Sequence, residues 1–253
     1  MQHQGNAILR RWNFSLKTVN CGQNRLRTIM SIAENIDLIK KSLPERVKLV
    51  AVSKTKPAEM LMEAYDCGQR LFGENKVQEM VSKYELLPKD IEWHFIGHLQ
   101  TNKIKYMASF VSMIHAVDSL KLLKSINAEA AKAGRVIPCL LQFHIAEEET
   151  KFGLSYEEAA GLLESGEYKS LSNISVSGVM GMATFIDDED QVKREFSCLK
   201  SYFDRLKTDY FADDDRFREI SMGMSGDYQI AVNEGSTMVR IGSTIFGERI
   251  YIR

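Results

Sequence analysis

The chain has 253 residues, 44% of them hydrophobic and 26% charged, with a formal net charge of −1; it is an ordinary globular composition, long enough for one α/β barrel or two small domains. The near-zero charge removes the basic face that binding a nucleic acid requires, and no run approaches the roughly 20 apolar residues that span a bilayer. Cys21, Cys67, Cys139 and Cys198 stand apart without CxxC spacing, so they read as thiols in a reducing compartment and not as a disulfide framework.

Residues 1–29 contain Arg10, Arg11, Lys17, Arg25 and Arg27 and no acidic residue. The longest aliphatic run there, residues 7–9, is too short for the core of a secretory signal, so the stretch reads as a leader outside the folded domain, with Met30 as an alternative first residue. Without it 28 basic residues stand against 34 acidic ones, a net −6, which further disfavours a polyanionic partner.

From Ser31, Ile32, Ile36, Ile39 and Leu43 recur at helical spacing until Pro44 ends the pattern. Strands are predicted over 47–53, 70–73, 92–96, 111–117, 137–145, 174–182, 217–222 and 238–241. Helices are predicted over 58–67, 76–86, 101–108, 119–133, 156–165, 190–206 and 227–233. Eight strands, each but the last followed by a helix, is the count of a single (β/α)8 TIM barrel over residues 30–253. A doubly wound open sheet remains an alternative that strand count does not exclude.

The first strand, VKLVAVSKTKP, ends in Lys54. Val50 and Val52 share its parity in an extended chain, so if that face lines a core the amine reaches the rim of an apolar interior. Desolvation there lowers an ammonium's pKa and frees the neutral amine that attacks carbonyls, which makes Lys54 a candidate Schiff-base lysine. On position alone, an exposed lysine at a strand end reads as well.

In a barrel the active site lies at the carboxyl ends of the strands, with phosphate often held after strands 7 and 8. Those loops read Ser221-Met222-Gly223-Met224-Ser225-Gly226-Asp227 and Arg240-Ile241-Gly242-Ser243-Thr244. Small residues let backbone N–H groups approach an anion, hydroxyls donate to it, and each loop precedes a predicted helix start. The second strand ends in Phe72-Gly73-Glu74-Asn75, a carboxylate and an amide on the rim of Lys54; locally, Asn75 reads best as the cap of the next helix. Arg240 sits between Val239 and Ile241 and therefore needs a buried partner; aimed at a ring nitrogen it donates only, keeping that nitrogen unprotonated.

Other motifs fall away. His94 and His98 have i, i+4 spacing, but WHFIGHLQ reads as a strand entering a turn, not as a helical metal pair. Asp227 occupies the second glycine position of a G-x-S-x-G elbow, and no Walker A or GxGxxG sequence occurs. Glu147 to Glu149 and the aspartate-rich stretches at 187–190 and 213–215 read as solvated loops.

With Lys54, Asn75, WHFIGHLQTNK and GSTMVRIGSTIFG in place, the chain resembles the YggS/PROSC family of pyridoxal phosphate homeostasis proteins from Met30 onward. The resemblance implies a barrel like the N-terminal domain of alanine racemase, the architecture of fold type III proteins, with pyridoxal 5′-phosphate held as an imine on Lys54. By the same resemblance Asn75, Ser221, Ser225, Arg240, Gly242 and Ser243 bind the cofactor, and Lys151 of TKFG lies near its path. Ser243 replaces a common threonine and keeps the hydroxyl; His98 replaces a proline found in some relatives.

The implied role is a cytoplasmic monomer that carries pyridoxal phosphate to apoenzymes, with no nucleic acid, membrane or metal involved. An arginine at the ring nitrogen mutes the electron sink, and no second domain supplies a racemase's opposite base. The runner-up is a racemase-like enzyme acting on amino acids; a Schiff-base aldolase on a phosphorylated sugar is a third reading.

Overall fold

The computed structural model describes residues 30–147 and 152–248. The readings of residues 1–29, of Glu148 and Glu149 and of Lys151 fall outside these.

Eight parallel strands close on themselves in sequence order: β1 (Lys48–Val52), β2 (Leu71–Glu74), β3 (Glu92–Phe95), β4 (Met113–Val117), β5 (Ile137–Gln142), β6 (Ile174–Met180), β7 (Glu219–Ser221) and β8 (Met238–Ile241). β8 returns to β1 with Val50 opposite Arg240, and this closure rules out the open-sheet alternative. Around the barrel lie α1 (Ile32–Ser42), α2 (Ala58–Asp66), α3 (Val77–Leu86), α4 (Leu120–Lys132), α5 (Tyr156–Glu164), α6 (Gly166–Lys169), α7 (Glu189–Tyr210), α8 (Tyr228–Asn233) and α9 (Ser243–Phe246).

The alternation along β1 explains how the barrel is filled. Leu49 and Ala51 join the large apolar layer between sheet and helices, whereas Val50 points inward to meet Met113, Ala116, Leu140, Met180 and Met238. Full burial of a side chain of this size contributes about 1.5–3 kcal/mol, so the outer layer, with many more members, dominates stability. Lys54 carries the inward parity of Val50 and Val52 to the carboxyl mouth.

α1 shows how the ring of helices is stapled on. Ser31 accepts from the Glu34 N–H while the Glu34 carboxylate accepts from the Ser31 N–H, and Ile32, Ile36 and Ile39 are buried. This reciprocal cap satisfies donors that a bare helix start leaves open. Two predicted elements differ. The helix predicted over 101–108 forms only as a six-residue 3-10 helix, Thr101–Tyr106, with no side-chain cap and Ile104 as its buried residue, too little apolar surface to hold a longer α-helix against the barrel. α7 runs four residues beyond the predicted end at 206, since no breaker intervenes before Phe211, which stacks on Phe217. Among the described residues no helix is long and apolar enough to cross a membrane.

Candidate cofactor site at the carboxyl mouth of the barrel

A cavity of about 380 Å³ opens at the carboxyl ends of the strands, and its walls include Val52, Lys54, Asn75, Ser225, Arg240, Gly242 and Ser243. Six of the seven predicted site residues therefore share one cavity; Ser221 is fully buried behind it. A larger cavity, about 630 Å³, lies at the opposite mouth and touches none of them. Barrel chemistry is built at the carboxyl end, so size does not decide between the two.

Lys54 is half-buried at the apex of a turn that closes from the Lys56 N–H to the Ser53 carbonyl at 3.0 Å. Thr55 follows with φ of 65°, the described non-glycine residue in the left-handed region. A β-branched residue there is strained by about 1–3 kcal/mol and persists only when its surroundings hold it. They do so through a buried ionic clamp. The Lys83 ammonium donates to the Ser53 carbonyl at 2.8 Å, to Glu74 Oε1 at 2.7 Å and to Glu79 Oε1 at 2.7 Å. Ser53 Oγ donates to Glu74 Oε1 at 2.6 Å, and the Thr55 N–H donates to Glu79 Oε1 at 2.5 Å. The residues on both sides of Lys54 are thus fixed from beneath. Glu74, predicted as a rim carboxylate, faces this clamp instead of the cavity; burial raises its pKa and Lys83 offsets that.

Asn75 does not cap a helix. α3 begins at Val77, its N-cap is Lys76, and no side chain bonds its first turn. One residue further out, the Asn75 side chain turns toward the cavity, and its Oδ1 is buried with no donor in reach. Such an acceptor is costly unless something donates to it. Gly97 enables the arrangement: a Cβ there would stand 2.4 Å from the Asn75 carbonyl oxygen, so only glycine lets the β3 loop pass over Asn75.

Arg240 finds neutral partners. Its Nη1 donates to the Ser221 carbonyl at 2.7 Å and to Ser221 Oγ at 2.6 Å, and its Nη2 donates to the Gly181 carbonyl at 3.0 Å. Burial brings its pKa down to about 10, with Asp227 opposing, so it stays charged at neutral pH. Three of the five guanidinium donors are used in these bonds, and the residue also lines the cavity.

The two predicted anion loops meet. The Gly242 N–H donates to Ser225 Oγ at 3.3 Å, a long bond that a stronger acceptor would displace. Gly223, at φ 96°, turns the first loop, and a Cβ there would stand 2.7 Å from Ala231 Cβ. α8 and α9 are only 6 and 4 residues long, so the helix-dipole contribution expected from them is small, and backbone N–H groups and hydroxyls are the donors these loops offer. Lys56 joins the loops to the lysine turn by donating to the carbonyls of Phe246, Gly247 and Glu248 at 3.0, 2.9 and 3.2 Å.

Several contributors escaped sequence reasoning. Met182, Thr184, Phe185 and Ile186, after β6, form a wall of the cavity; their run of apolar residues past the strand end was the available signal. Asp227, noted only as a motif breaker, lines the cavity and accepts from the Met224 N–H at 2.5 Å; burial raises its pKa. Among the described residues no cluster of metal-ligating side chains occurs. His94 belongs to β3 and is buried, whereas His98 is exposed, 3.9 Å from Asp118.

The sequence matches the family described as "Alanine racemase, N-terminal domain" over residues 29–250. It is 41% identical to the pyridoxal phosphate homeostasis protein of Aquifex aeolicus over 206 residues, 81% of this chain and 88% of that one. The protein of the same name from Homo sapiens is 41% identical over 215 residues, 81% of this chain and 77% of the relative. Among solved structures, PipY of Synechococcus elongatus PCC7942 with PLP bound superposes with a TM-score of 0.77 at 33% identity, covering 86% of this chain and 100% of PipY. Barrel, motifs and these likenesses agree, and the chain belongs to the pyridoxal phosphate homeostasis protein family, built on the N-terminal domain of alanine racemase.

Proposed function

We propose that this chain binds pyridoxal 5′-phosphate at the carboxyl mouth of its barrel and serves as an intracellular, cytoplasmic carrier of it, monomeric and without strong catalysis of its own. The observation that carries the reading is the convergence of Lys54, the orphaned Asn75 Oδ1, Arg240 and the two serine-glycine loops on one cavity. The relative PipY, structurally similar over 86% of this chain, has been solved with PLP bound.

When bound, the cofactor supplies an aldehyde that bonds a primary amine and a ring that withdraws electrons. The chain's residues fit it. Lys54 would offer the amine, and the clamp beneath, bonded to the backbone of Ser53 and Thr55, fixes the turn that presents it. Asn75 Oδ1, buried without a donor, would accept from the ring hydroxyl. Arg240, a pure donor, would donate to the ring nitrogen and so keep that nitrogen unprotonated. Ser225, Gly242 and Ser243 present donors to the phosphate, with Ser221 supporting Arg240 from behind. Lys56 is committed to backbone carbonyls, and no Tyr, His or Cys lines the cavity among the described residues. Among the described residues the carboxylates at the cavity are Asp187 and Asp227, the latter engaged by the Met224 N–H, and a muted ring suits storage and transfer better than racemisation.

The phosphate loops should dominate affinity. A charge-assisted hydrogen bond contributes about 1.5–3 kcal/mol, so Ser243→Ala is expected to weaken binding about tenfold or more, read by absorbance titration. Pyridoxal lacking the phosphate should bind far more weakly still; equal affinity for the two forms would contradict the anion site.

Transfer and turnover test the role itself. The loaded protein should reactivate a pyridoxal-dependent apoenzyme while turning over a panel of amino acids negligibly. Racemisation, decarboxylation or transamination at roughly 1 per second or faster would establish the enzyme alternative. A cofactor-free aldolase would show no visible absorbance at all.

A further inference from the structure

A line of buried side chains runs through the barrel from one mouth to the other. Ser221 Oγ, which accepts from Arg240 Nη1 at 2.6 Å, lies 3.0 Å from His115 Nδ1, and His115 Nε2 lies 2.9 Å from His94 Nδ1. His115 is 0% exposed and His94 3%, and His94 borders the cavity at the amino mouth.

The direction of every bond in this line follows from its first member. A guanidinium has donors only, so Ser221 Oγ must accept from it. The single serine hydroxyl proton then needs an acceptor, and His115 Nδ1 is within reach. If His115 Nδ1 carried a proton instead, the Ser221 hydroxyl would be left without a partner in a fully buried place, at the cost of an unmet donor. A protonated Nδ1 would also turn a positive dipole end toward the Arg240 charge. With Nδ1 accepting, neutral His115 carries its proton on Nε2 and donates to His94 Nδ1, and His94 in turn carries its proton on Nε2, toward the amino mouth. Burial holds both imidazoles neutral, pulling His94 down to about 3 and His115 well below its ordinary value.

We infer that His115 and, through it, His94 are positioning residues for Arg240: both stand as neutral Nε2–H tautomers, and the resulting one-way chain of hydrogen bonds holds Ser221 as an acceptor that fixes the guanidinium against the cofactor cavity. None of the three touches the cavity; they act through Arg240. Their effect on cofactor binding rests on the carrier reading given above, whereas the tautomers do not.

The test has two arms. In ligand-free protein labelled with 15N-histidine, long-range 1H–15N spectra at neutral pH are expected to show both residues neutral and protonated on Nε2; an Nδ1–H tautomer or an imidazolium at either overturns the chain whether or not the protein binds pyridoxal phosphate. In the second arm, His115→Asn keeps an acceptor where Nδ1 stood and His115→Phe removes it. The phenylalanine variant should bind pyridoxal phosphate about fivefold or more weakly, the loss expected for one hydrogen bond, and shift the pH titration of the bound cofactor's absorbance, while the asparagine variant restores both. Equal behaviour of the two variants, whether both normal or both impaired, shows packing alone and overturns the proposal. Should His115→Phe fail to fold, the tautomers decide.

Discussion

Lys54→Ala is expected to abolish the imine absorbance band of the protein loaded with pyridoxal phosphate and the covalent trapping of the cofactor on the protein by borohydride, because that trapping requires a carbon–nitrogen double bond to a lysine amine. Lys54 is half-buried at a rim, so the fold should persist within about 1 kcal/mol of the parent, checked by urea unfolding. Residual binding through the phosphate loops should remain, which separates loss of the covalent bond from loss of the cavity. A variant that folds and still acquires the band would place the bond elsewhere.

The largest effect on stability is expected from Lys83→Met. Lys83 and Glu74 have side chains 7% and 0% exposed, and removing one partner of such a pair typically costs about 3–5 kcal/mol because the other charge stays buried alone. The loss should depend on pH with a definite sign. Burial already raises the Glu74 pKa above its ordinary 4.5, and Lys83 is the leading influence that lowers it. Without Lys83 the folded carboxyl keeps its proton to still higher pH than the unfolded chain does. Stability then falls as pH rises above 4.5 through the folded pKa. The penalty should be modest near pH 5 and large near pH 8, and adding Glu74→Gln should recover much of it at pH 8. A penalty identical at both values would mean that Glu74 carries no charge in the parent.

Much of this molecule was legible in one dimension, and the exceptions share a cause. The strands stood out because parallel barrel strands are buried on both faces and read as near-continuous apolar runs, as LVAV in β1 does, whereas β6 is interrupted by Ser175, Ser177 and Gly178 and was read from its β-branched residues and the turn residues around it. Lys54, Arg240, Gly242 and Ser243 were found by their places at strand ends, a consequence of barrel geometry. The local reading of Asn75 as a helix cap failed because capping preference is local and its neighbour Lys76 took the cap position; only the resemblance pointed Asn75 to the cofactor. Lys83 and Glu79, four apart on α3, look like any solvated helix pair; only the approach of β1 and β2 buries Lys83 against Ser53 and Glu74. His94 and His115 lie 21 residues apart and meet because β3 and β4 pair in a particular register, which no spacing rule reveals.

On the proposed reading, Lys54 is the amine that holds the cofactor. Its most direct test is to load the purified protein with pyridoxal phosphate, reduce it with borohydride, digest it and map the modified lysine by mass spectrometry. The expected result is one modified peptide carrying the adduct on Lys54. An adduct on Lys56 or Lys151, with Lys54 unmodified, would contradict it.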